Sequence, residues 1–159
     1  MNSHTFSPDS KVWTYYVNGG IPETEMAYII QYLTEFCFSW TAHNQALKAT
    51  FEIIDQHFIV LIVDESQNLA SGCSIDKSTH AMKHLSEKLQ VNLFDRLLLP
   101  YLVNGKIETI HFNNLKESYL ANTINDSTQF YNLNISKFGE LNSAFLLPFY
   151  QHWLYKFVK

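Results

Sequence analysis

The residues with the sharpest chemical character are contiguous: Ser71-Gly72-Cys73-Ser74-Ile75-Asp76. The string sets a thiol, two hydroxyls and a carboxylate around a glycine, between an apolar run and a segment with helical spacing. At a strand-to-helix turn the first backbone N–H groups of the helix lack intrahelical acceptors and attract anions. A thiol there is shifted toward thiolate. Two chemistries follow: a reactive Cys73, or an anion cradle that uses Ser71, Gly72, Ser74 and Ser78. Capping accounts for many of the same residues, with Asp76 or Ser74 as the cap and Cys73 as a small buried apolar side chain.

Other polar groups are less pointed. His80 and His84 have the i, i+4 spacing of metal ligands, but the metalloprotease pattern needs Glu after the first histidine, where Ala81 stands. With Lys77 and Lys88 they trace a cationic helix face, so no metal site is expected. His57, His111 and His152 are isolated, and Asp95-Arg96 reads as a local charge pair rather than a separate anion site. A phosphatase-like loop would place Arg where Thr79 follows Cys73. The chain contains no G-x-x-x-x-G-K-[ST] phosphate loop, no G-x-G-x-x-G after a strand and no G-x-S-x-G elbow, so no cofactor is expected.

The hydropathy pattern outlines the elements that must position these groups. Lys11 to Asn18 reads as a strand closed by Gly19-Gly20, and a helix opens at Pro22 with Met26, Ile29, Ile30, Leu33, Cys37 and Trp40 on one stripe. Leu47 to Ile54 alternates as a strand with one wet face. His57 to Glu65 is apolar at both parities, which predicts a central strand covered on two sides. A helix from Asp76 to about Gln90 follows, then a hairpin, Arg96 to Val103 and Lys106 to Phe112, around Asn104-Gly105. Leu115 to Asn122 suggests a short helix, and Phe145 to Val158 an aromatic one with Pro148 near its start.

The order is that of a split βαβ, or ferredoxin-like, βαββαβ core on an antiparallel sheet, with an added hairpin strand and the C-terminal aromatic helix over the second face. Pro100 lies mid-strand and cannot donate to a neighbour on its other side, so pairing of that strand with the first must lapse there or the hairpin must lie at an edge. In this arrangement the loop after the first helix meets the turn before the second, bringing Trp40, His43 and Asn44 beside Cys73 and Asp76. A Cys73–His43 pair oriented by Asp76 would activate a thiol.

Composition bounds the rest. A chain of 159 residues with 47% hydrophobic content suits one α+β domain over 1–159, with 1–10 a loose lead-in. A net charge of -4 without a basic block disfavours nucleic acid. Two cysteines do not make a disulfide framework, and neither a secretory leader nor a membrane span is legible, so a cytoplasmic location is expected.

Ala70 to Ser78, with Phe58 to Asp64 before it, Asn92-Leu93-Phe94-Asp95-Arg96 after it and Trp40-Thr41-Ala42-His43 upstream, resembles a small bacterial family of unassigned function. Its members commonly carry the label "ABC transporter ATPase". That label implies ATP hydrolysis and is a misnomer for this chain, which has no phosphate loop. The expectation leans away from catalysis: a binding or regulatory module for a small anionic ligand or a protein partner, with the ligand at 71–78 touched by Trp40 and Asn44. The alternatives are a thiol enzyme with Cys73 as nucleophile and His43 as base, and a scaffold or homodimer that acts through the aromatic C-terminal helix.

Overall fold

The computed structural model describes residues 2–159. Its first half runs β1 (Lys11–Tyr16), α1 (Glu23–Ser39), β2 (Thr41–Ala42), β3 (Gln45–Ala46), β4 (Lys48–Ile54), β5 (Phe58–Asp64) and α2 (Gly72–Leu89). The second half adds β6 (Leu98–Val103), β7 (Lys106–His111), α3 (Leu115–Leu120), β8 (Gln129–Tyr131), α4 (Glu140–Ser143) and β9 (Leu146–Pro148). The result is a mixed α+β fold with antiparallel sheets.

β5 is the centre of the first sheet, whose order is β1-β5-β4. All seven of its residues are buried. Ile59, Leu61 and Val63 pack with Ile29 and Leu33 of α1 and with Met82 and Leu85 of α2. Phe58, Val60 and Ile62 project the other way, into a cluster with Tyr131, Ile135 and Phe145. Each such side chain contributes roughly 1.5–3 kcal/mol by leaving water, so this strand anchors both layers.

The expected fourth strand does not join β1. β6 pairs with β7 along its whole length, and with β8 only at Tyr101 and Leu102. Those are the positions just beyond Pro100, which has no N–H to donate. The first sheet therefore stops at three strands instead of the expected ferredoxin-like four, and a second antiparallel sheet forms in the order β7-β6-β8-β9. Residues 133–139 close the edge of β1: the Val12 N–H donates to the Ser136 carbonyl at 3.0 Å, the Phe138 N–H to the Ser10 carbonyl at 2.8 Å, and Thr14 Oγ1 to the Leu133 carbonyl at 2.8 Å.

Phe145 to Val158 is not the aromatic helix that its spacing suggests. Leu146–Pro148 is captured by the free edge of β8, with Leu147 opposite Phe130. Beyond it lie two short 3-10 helices, Phe149–Gln151 and Trp153–Phe157, separated by His152 in an extended conformation. The second face of the first sheet is covered by the second sheet instead, through Leu98, Leu102, Ile107 and Tyr131. The outer face of the second sheet, with Leu99, Tyr101, Ile110 and Phe130, packs on Leu115, Ile124, Phe149 and Leu154.

Of the lead-in read over 1–10, Met1 lies outside the described residues. Phe6 is buried, and Lys48 Nζ donates to the Thr5 carbonyl at 3.3 Å. No helix among the described residues is long and apolar enough to cross a membrane.

His152 joins the C-terminal turns to the second sheet and gives a pH signature. Its Nδ1 accepts from the Leu154 N–H at 3.2 Å, which leaves the proton on Nε2 to donate to the Tyr131 carbonyl at 3.3 Å. Burial holds its pKa below the ordinary 6.5. The folded state favours neutral imidazole, so this contribution is complete above pH 6.5 and declines as pH falls below it, where the unfolded chain binds the proton first. Urea midpoints should therefore drop between pH 7.5 and 5, and His152→Gln should flatten that slope. An unchanged slope in the variant would remove His152 from the account.

Candidate functional site

The strand-to-helix turn is built by reciprocal hydroxyls. Ser71, not Asp76, caps α2: its Oγ accepts from the Ser74 N–H at 3.2 Å, and the Ser71 N–H donates to Ser74 Oγ at 2.7 Å. This is a capping box with serine in the usual Glu or Gln position. Asp76 is one turn further on and exposed. Glu65, at the end of β5, accepts from the Ala70 N–H at 2.7 Å and pairs with Lys11 at 3.6 Å, which fixes the approach to the helix. The cap satisfies the Ser74 N–H, while the Gly72 and Cys73 N–H groups stay at the solvent-facing start of α2.

The loop after α1 does meet this turn. Trp40 ends α1, is 1% exposed, and donates from Nε1 to the Ser74 carbonyl at 2.8 Å. Lys77 Nζ donates to Thr41 Oγ1 at 2.9 Å, and Asn68 Nδ2 to the Ala46 carbonyl at 3.1 Å. The ribbon β2–β3 therefore lies against the start of α2, with His43 and Asn44 at its tip in left-handed conformations, φ 50° and 61°.

The predicted residues divide into two groups. Trp40, Ser71, Ser74 and Ser78 hold the backbone together; Ser78 is buried and donates to the Ile75 carbonyl at 2.6 Å. Cys73, His43, Asp76, Asn44 and Gly72 are exposed. Among the described residues no hydrogen bond or ion pair joins Cys73, His43 and Asp76. The groove that Trp40 lines, about 350 Å³ between α1 and α2, has Lys77 and His80 in its walls and none of those three. His84 packs against α1, with Nε2 2.7 Å from the Tyr28 hydroxyl and its ring 4.7 Å from that of Tyr32. Asp95 accepts from the Leu97 N–H at 2.9 Å, while the Arg96 guanidinium lies 6.0 Å from the Tyr15 ring.

A second concavity was not foreseen from the sequence. It is about 690 Å³ and opens between the β4–β5 turn and the β6–β7 turn, lined by Asp55, Gln56, His57, Leu102, Gly105, Lys106, Ile107, Tyr131 and Leu146. Asp55 and Gln56 are both left-handed, φ 51° and 58°, as a tight turn between twisted strands requires. The turn is held from inside. His57 Nδ1–H donates to the Asp55 carbonyl at 2.7 Å, and the Gln56 and His57 carbonyls accept from the Ile21 and Val17 N–H groups, each at 2.7 Å. Gly20, at φ 82°, leaves room for the His57 ring; a Cβ there would stand 3.1 Å from it. The Tyr131 hydroxyl donates to Asp55 Oδ2 at 3.3 Å, and burial with the Asp55 charge pushes this phenol up to about 12. It is a fixed donor at neutral pH, not a base. The only advance signal was the pair of polar residues Asp55-Gln56 breaking two apolar strands; Tyr131 arrives from 76 residues away.

The two thiols should be told apart by reagent. Cys37 is buried and burial pushes its pKa up to about 12, whereas Cys73 is exposed. A native sample with Ellman's reagent should release one equivalent of thiolate promptly and a second only after unfolding; Cys73→Ser should abolish the prompt phase. Ser71→Ala should cost about 1 kcal/mol through loss of the cap, read as a fall of about 2–4 °C in Tm. No loss of stability would mean the cap is redundant with Ser74.

No protein-family model, no curated protein and no solved structure matches the chain.

Proposed function

We propose that this chain is a non-catalytic binding module whose small ligand occupies the crevice between the two sheets. The observation that carries this reading is convergence: Asp55, Tyr131, His57 and Lys106 meet a wall of Leu102, Ile107 and Leu146 in one cavity of about 690 Å³. A few fixed polar groups set in an apolar recess of that size are the usual form of a small-molecule site. The crevice lacks a paired nucleophile and base, since the Tyr131 proton is held and His57 Nδ1 is bonded to a carbonyl. A cytoplasmic setting belongs to the proposal, and the two free thiols agree with it.

The second reading places chemistry at Cys73, and the exposure of this thiol at the start of an 18-residue helix favours it. It is read by iodoacetamide labelling across pH: a thiolate forming well below the free value of about 8.5 supports catalysis or anion capture there. The scaffold reading rests on Tyr150, Trp153 and Phe157, which are exposed on two short 3-10 helices rather than on one continuous helix.

The crevice is tested by filling it. A thermal-shift screen with a small-metabolite library should give compounds that stabilise the wild type and fail with Leu102→Trp. At about 100 times Kd the gain is about 2.7 kcal/mol, or about 5–10 °C in Tm at this chain length. Compounds that stabilise both proteins equally bind elsewhere and would overturn the assignment.

A further inference from the structure

The two lips of the crevice carry opposite charges that do not meet. Asp55 stands on the β4–β5 turn, and Lys106 is the first residue of β7 on the opposing hairpin. The ion pairs among the described residues are Lys11–Glu65, Lys48–Asp64, Lys88–Glu25 and Lys137–Asp9, so neither Asp55 nor Lys106 is in one. Here the anionic side is held: the Asp55 carbonyl is bonded by His57, the next carbonyl by Ile21, and Oδ2 by the Tyr131 hydroxyl.

The wall of the same cavity is apolar, made by Leu102, Ile107 and Leu146. Asp55 and Lys106 are both exposed at the rim and keep water when the wall is covered, so a purely apolar occupant gains nothing from either and a ligand with one charge gains from one pole only. A ligand with a cation at one end and an anion at the other matches both poles by charge-assisted hydrogen bonds. Resting on the reading of the crevice as the ligand chamber, we infer that it binds a small zwitterion with its charges at the two ends of a short apolar body. The ammonium end lies against Asp55, the carboxylate end against Lys106, and the body along Leu102, Ile107 and Leu146.

The test is an NMR titration of the whole chain with ω-amino acids from γ-aminobutyrate to ε-aminocaproate, beside caproate and hexylamine as single-charge analogues. The best zwitterion should bind about two- to fivefold tighter than either analogue, since a contact to an exposed charge is worth a factor of that order. Its shifts should centre on the amides of Asp55, Gln56, Gly105 and Lys106. Asp55→Asn should remove its advantage over caproate, and Lys106→Gln its advantage over hexylamine. Single-charge analogues that bind the crevice as tightly as the best zwitterion would overturn this inference and leave the small-ligand reading standing. If neither these probes nor any library compound shifts the crevice amides, the small-ligand reading falls with it.

Discussion

From Phe58 to Val63 every residue of β5 is fully buried, so both faces of the first sheet must be covered. Most of the architecture follows from that demand. α1 and α2 cover one face with an aliphatic stripe and Met82, and the second sheet covers the other through Leu98, Leu102, Ile107 and Tyr131, joined by Ile135 and Phe145 from the segments between its strands. The aromatic rings of Tyr16, Phe58, Tyr131 and Phe145 lie 4.4–5.3 Å apart in tilted and edge-on pairs at the join, which adds directional contacts to area burial.

The crevice is a by-product of joining two twisted sheets. Where they diverge, the β4–β5 turn and the β6–β7 hairpin project past the shared core and leave the space between them open. The polar residues there are fixed by neighbours with ordinary structural roles: Tyr131 is a core residue whose hydroxyl reaches Asp55, and His57 is both a turn brace and a stacking partner for Tyr16. At the other end of the first sheet, the Cys73 turn is braced by Trp40, Lys11 and Lys77, and its polar string is largely capping. Rigid support and chemical readiness are therefore separate at the two ends. The Cys73 thiol is exposed and lies outside the groove that Trp40 lines, while the Asp55 end carries a recess lined by Asp55, His57, Lys106 and Tyr131.

What the sequence by itself determined were features set by local or short-range physics. Two-sided apolarity made β5 central, Asn104-Gly105 set the β6–β7 turn, and the loop after α1 came to the start of α2 because two antiparallel neighbours of one strand leave little choice. Pro100 signalled that β6 could not pair fully with β1, but tertiary structure decided that it joins β8 and what became of 145–158. Helical spacing of the aromatics there lost to a free edge on β8, because ladder hydrogen bonds and contact with Phe130 outweigh the modest preference of a short segment. The crevice was invisible for the same reason: Asp55, Lys106 and Tyr131 are distant in the chain, and their lining one crevice depends on how the second sheet packs on the first, which no local pattern encodes.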